Sequence, residues 1–311
     1  MGRKDAITKE YTSDNRIFAD LFNFFLYGGR QVIRPEALKT RDSAEVAIPY
    51  GTDQKSVPAQ KQRDVLKVYA AKEAGGVTYL LLGLENQSDQ HYAMPCKNMM
   101  YDAMNYSSQV SQAGKSHRSD HKADRAEYLS GFTKDDRLMP VVTLVLFWGA
   151  GEWDAPRSLH EMFGDVDEEV LKYVPDYRIN LIVPAEIDNF EKFTSEIGPV
   201  LKFIRESQDK KRLKELVYTD ERYKSMDPES ARLLNEVAGL KLDLTAESKG
   251  GRVDMCKGWD DYAEDRVKSS ARDTVIRMIR KGAQLEFIID TVTGLSEEEI
   301  REIYEQELLV K

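Results

Sequence analysis

The chain has 311 residues, 41% of them apolar and 32% charged, which is enough for one large or two modest globular domains. It holds no run of about eighteen apolar residues, which excludes a membrane-spanning helix, and its formal net charge of −9 argues against indiscriminate polyanion binding. With only Cys96 and Cys256, far apart, it suits a reducing cytosol and offers no cysteine-based zinc site.

Met1 to Thr8 lack the apolar core of a signal peptide. Residues 12–28 read as a helix: Ser13 or Asp14 offers the N-cap, Ile17, Leu21, Phe24 and Phe25 form the apolar stripe, and Gly28-Gly29 stop it. Asp20, on this helix, reads as an exposed residue. Glu45 to Pro49 reads as a first strand and Gly51 to Pro58 as a loop.

The segment from Arg63 to Gln87 then carries two β-favouring apolar runs around Gly75-Gly76, a hairpin signal. A turn from Glu73 to Gly76 sets Ala71 opposite Thr78, and the same register sets Asp64 opposite Glu85, with Cβ atoms about 5 Å apart. Gln87 shares that face, because strand side chains alternate with period two. Two acids this close repel unless positive charge lies between them. Oxygen ligands at such spacing suit a hard cation, Mg²⁺ or Mn²⁺, which takes one or two carboxylates and keeps its remaining positions for water and phosphate. On the residues alone a hairpin that simply ends in solvent with polar side chains at its mouth stays open as a reading.

His91 to Pro95 leads into a helix, with Pro95 in its first turn. Met99, Met100, Ala103, Met104 and Tyr106 give that helix its apolar surface, and Lys97, Asn98 and Tyr101 lie near enough to the hairpin mouth to touch a phosphate. Residues 112–137 read as a polar surface excursion. Its His117 and His121 have metal-ligand spacing on a helix but lack a third ligand beyond Asp120 or Asp124. Pro140 to Trp148 reads as a buried strand. The Gly149 and Gly151 pair after it is no dinucleotide loop, since Asp154 stands where a third glycine belongs. Tyr177 to Val183 reads as a strand at the edge of the same sheet.

After Pro184 the pattern turns helical. Phe190 to Ser207 is interrupted at Gly198-Pro199, and shorter helices are expected at Lys211–Tyr218 and Pro228–Ala238. Residues 241–253 read as a linker. Glu264 to Gln306 is helical with a capping box at Ser296 and Glu299. The second helix of this tail presents Glu297, Glu298, Glu299 and Glu302, so it reads as a folding or oligomerisation element and not a reader of bases. Charge is uneven: residues 1–72 hold thirteen Lys/Arg against nine Asp/Glu, and Arg266 to Lys281 hold six basic residues against Asp273. Either patch suits phosphate contact or a solvated face.

Asp64, the later Glu85-Asn86-Gln87 at the end of an apolar strand, and the Met94-Pro95…Tyr101-Asp102-Ala103 helix together resemble the Rpn family of recombination-promoting nucleases. That family is related to YhgA-like transposases within the PD-(D/E)XK nuclease superfamily. The resemblance covers roughly residues 10–185 and implies an α/β fold: a small mixed sheet flanked by helices at 1–185, a helical extension and linker at 186–250, and a helical tail at 251–311. It implies a Mg²⁺-dependent DNA endonuclease linked to recombination or mobile elements, with Asp64 and Glu85 holding the metal and Gln87 orienting water or a phosphate oxygen. It further implies action on DNA as a homodimer. The superfamily often adds an acid from the preceding helix, where Asp20 is available. It usually has Lys where this chain has Gln87; Gln brings no charge, which points to weaker transition-state stabilisation or to a nuclease-fold binding module without catalysis.

Overall fold

The computed structural model describes residues 2–41, 44–47, 59–73, 76–117, 132–240 and 251–309. The chain divides into two compact units, Met1–Leu216 with Glu236–Ala238, and Val217–Asn235 with Gly239–Lys311.

The first unit opens with helix α1 (Arg3–Thr12), which the sequence reading left out, and helix α2 (Asn15–Tyr27). Asp14 caps α2, its carboxylate accepting from the Arg16 and Ile17 amides, and Gly28 ends it in a left-handed turn at φ 64°. Its buried stripe runs through Ile17, Phe18, Leu21 and Phe22, while Phe24 is half-buried and stacks on Phe193 with ring centroids 4.2 Å apart. Burying each of these side chains contributes roughly 2–3 kcal/mol.

The strands are β1 (Leu38–Thr40), β2 (Ala44–Ala47), β3 (Ala59–Gln62), β4 (Val65–Glu73), β5 (Gly76–Gln87), β6 (Val141–Phe147) and β7 (Asn180–Ile182). Five of them form a mixed sheet in the order β1-β4-β5-β6-β7, and β2 pairs with β3 in a separate two-stranded sheet. The hairpin of β4 and β5 has the register expected: Glu73 pairs with Gly76, Ala71 with Thr78 and Val65 with Leu84. Residues 74 and 75, at its turn, lie outside the described residues, as does the expected loop at 51–58. Strand β6 runs parallel to β5, so their connection must cross over the sheet, and helix α3 (Met94–His117) lies within it. The short β7 forms the edge beside β6. Leu81, Leu82, Leu84, Leu144 and Val145 are fully buried, as central strands covered on both faces require.

Helices cover the two faces differently. Asn86 donates to the Thr12 hydroxyl of α1 at 3.0 Å, while its neighbour Glu85 turns the other way to Lys97 of α3. Residues of opposite parity on β5 therefore face α1 or α3.

Two further expectations change. Gly198-Pro199 does not interrupt a helix; helix Ile197–Glu206 starts there, with Pro199 in the first turn where its missing amide costs nothing. Asp20 is not exposed. It is buried and accepts hydrogen bonds from the amides and hydroxyls of Thr194 and Ser195, ahead of that same helix.

In the second unit, helices Met255–Arg280, Leu285–Thr291 and Glu297–Leu309 close around Val275, Ile279, Ile288, Ile300 and Ile303. The capping box forms, with the Ser296 amide donating to Glu299 at 2.7 Å and the Glu299 amide to the Ser296 hydroxyl at 3.2 Å. Among the described residues no helix is long and apolar enough to cross a membrane.

Candidate functional site at the hairpin mouth

Arg63 and Asp64 form the short corner between β3 and β4, at the open end of the hairpin. Continuing the observed pairing places Asp64 across from Glu85. Its carboxylate accepts from the Asn86 amide at 2.8 Å, which ties it to the end of β5. Gln87 is the last residue of β5 and shares the parity of Glu85.

Glu85 is 1% exposed. Lys97 Nζ lies 3.0 Å from its Oε2, whereas Oε1 is buried without a hydrogen-bond partner among the described residues. Burial pushes its carboxyl up, the charge of Asp64 adds to that, and Lys97 and Arg63 offset only part, leaving it at about 7. Lys97 and Arg63 thus offset the burial of this carboxyl only in part, and it protonates readily near neutrality.

A cavity of about 400 Å³ opens beside it, lined by Asp5 of α1, Asp64, Asn86, Gln87, Lys97 and the segment Ser88 to His91. Of the residues singled out from sequence, Asp64, Gln87 and Lys97 meet on this cavity, whereas Glu85 is buried and does not line it, its contact there being Lys97. Asn98 and Tyr101 do not. Asn98 is fully buried and Tyr101 is 4% exposed: one residue beyond Lys97 the helix turns by about 100° into the core, and Tyr101 lies beneath Lys97 as the ring under its ammonium, 5.9 Å away. Neither can touch a phosphate at the surface.

Asp20 stands apart, satisfied by Thr194 and Ser195. Asp5, Asp89 and His91 also line the cavity, and nothing in local pattern relates the first helix to the end of β5. Of the pair His117 and His121, His121 lies outside the described residues, as do Asp120 and Asp124. His117 itself faces Asp136 at 2.9 Å.

Among the described residues no three His, Cys, Asp or Glu side chains gather as a metal cage. Two acids fit a different kind of ion, one that holds one or two protein carboxylates and fills the rest of its shell with water and phosphate oxygens, as Mg²⁺ does. The unpartnered Glu85 oxygen beside Asp64 fits that donor set.

The model of the YhgA-like putative transposase family matches residues 59–229, more than half of the chain. The chain belongs to that family. The match runs from the start of β3 to the first two residues of helix Pro228–Val237 and contains Asp64, Glu85, Gln87 and Lys97. No curated protein and no solved structure matches the chain. Membership in the YhgA-like putative transposase family suggests a transposase- or nuclease-like role.

Proposed function

We propose that this chain is a metal-dependent DNA endonuclease with a PD-(D/E)XK-type core, in which Asp64 and Glu85 hold Mg²⁺ or Mn²⁺. The observation that carries the reading is the buried Glu85, coupled to Asp64 across the hairpin, with one oxygen unpartnered and the other 3.0 Å from Lys97. The family membership supports it independently.

A bound hard cation supplies charge neutralisation at the phosphate and a more acidic water. The chain's own residues do the rest. Asp64, fixed by the Asn86 amide, keeps its remaining acceptor capacity toward the cavity. Gln87 donates a hydrogen bond to a phosphate oxygen or orients the attacking water. Lys97, 24% exposed, brings from α3 the positive charge that Gln87 does not bring from β5. A duplex has two strands, so a double-strand cut calls for two copies of the chain or two encounters.

Nicking of supercoiled plasmid tests the proposal. Cleavage that requires Mg²⁺ or Mn²⁺ and disappears in Asp64→Ala is the expected result; no cleavage with either metal overturns it.

One observation favours a second reading, a nuclease-fold module that binds without cutting. Gln87 is uncharged, so β5 brings no cation to polarise a phosphate. DNA or protein binding unchanged in Asp64→Ala, with no nicking by the parent protein, is the outcome that would select it.

A further inference from the structure

Behind the cavity lies a second, largely buried arrangement. Arg63, next to Asp64 in the chain, has a completely buried side chain, and its Nη2 donates to Asp102 at 2.8 Å. Its Nη1 donates to the Thr143 hydroxyl of β6, and its guanidinium lies 5.1 Å from the centroid of the Tyr101 ring. Asp102, on α3, is the hub: it also accepts from the Thr143 hydroxyl at 2.5 Å and from the Tyr177 hydroxyl at 2.6 Å. Space for the guanidinium exists because β5 has glycine at position 83. A Cβ built there would collide with Nη1 and stand 3.1 Å from Cζ.

A buried, charged and multiply bonded group of this kind is costly to assemble and fixes geometry where it stands. Here it joins the residue beside Asp64 to the helix bearing Lys97 and to the strand beside Glu85. We propose that Arg63 is a positioning residue for the site: pinned by Asp102, Thr143 and the gap at Gly83, it sets the corner that aims the Asp64 carboxylate at the Asn86 amide and into the cavity. The consequence for metal binding rests on the function proposed above; the consequence for Asp64 does not.

The test pairs two readouts on the full chain, amide hydrogen exchange without metal and Mn²⁺ titration. In Arg63→Met, and equally in Gly83→Ala, protection of the Asn86 amide is expected to fall about tenfold or more while the Leu82 and Leu84 amides keep theirs. The double variant should add little to either single one, as for two changes that break one contact. Mn²⁺ affinity is expected to drop roughly 10–100-fold, the usual effect of losing a group that orients a ligand. Tyr177→Phe, which removes one bond from the hub, should show the same pattern more weakly and serves if the other variants do not fold. Unchanged Asn86 protection overturns the inference. So does an equal loss at all three amides, which would mark Arg63 as a stability element only. If the parent chain binds no Mn²⁺ yet the Asn86 effect appears, the metal site falls and the positioning role stands.

Discussion

Two carboxylates in this molecule are equally hidden from water, each 1% exposed, and they are treated in opposite ways. Asp20 receives four donors from Thr194 and Ser195, at 2.7 to 3.2 Å, and so ties α2 to the segment before helix Ile197–Glu206. Glu85 receives one lysine, keeps one oxygen without a partner among the described residues, and faces another acid across the hairpin. Burial alone therefore does not distinguish these two acids; how far their oxygens are satisfied does. Asp20 holds the fold, and Glu85 stands near Asp64 with its charge only partly offset by Lys97.

The sharpest way to break that contrast is activity. Asp64→Ala or Glu85→Ala should reduce metal-dependent plasmid nicking by about a thousandfold or more, whereas Asp20→Ala should keep its activity per folded molecule. Comparable losses at all three positions would erase the distinction.

Stability should divide the same two groups the other way. Asp20→Ala leaves buried donors unpaired and is expected to cost roughly 3 kcal/mol in urea unfolding. Glu85→Gln should cost little at neutral pH. The sign follows from where the carboxyl titrates, at about 7 in the folded chain against 4.5 ordinarily. The folded state holds an extra proton between those values, so the contribution of Glu85 is fully present below pH 4.5 and lost as pH rises through 7. The loss is on the order of 3 kcal/mol in the metal-free protein. Glu85→Gln should flatten that slope in pH-dependent unfolding, and Mg²⁺ should raise the melting temperature of the parent chain above pH 7 but not that of the variant.

A smaller effect concerns the lysine. Lys97→Met should lower nicking roughly tenfold to a hundredfold, and Gln87→Lys added to it should restore part of the loss by bringing charge from β5 instead. A double variant no better than Lys97→Met would show that the helix-borne charge has no equivalent on the strand.

The hairpin register was legible because it depends on neighbours in sequence: two short apolar runs and a glycine pair fix Val65 against Leu84, and Asp64 and Glu85 follow. The edge position of β7 and the capping of α2 were legible for similar local reasons. Asp20 was misread because its donors come from 174 and 175 residues away. Arg63 was passed over because its setting draws on α3, β5, β6 and Tyr177 at once, and only the fold brings these together. Asn98 failed on helix phase: proximity in sequence to Lys97 did not carry proximity to the cavity.

The parallel pairing of β5 with β6 has a kinetic meaning. Strands β4 and β5 adjoin in sequence and can zip with little loss of chain entropy, whereas Leu81 meets Val141 only after a sixty-residue excursion has closed. The pairing that sets Asp64 opposite Glu85 is thus expected to form ahead of the pairing with β6. Transition-state mapping with conservative truncations at Leu82 and Leu146 should find high values at the first and low values at the second.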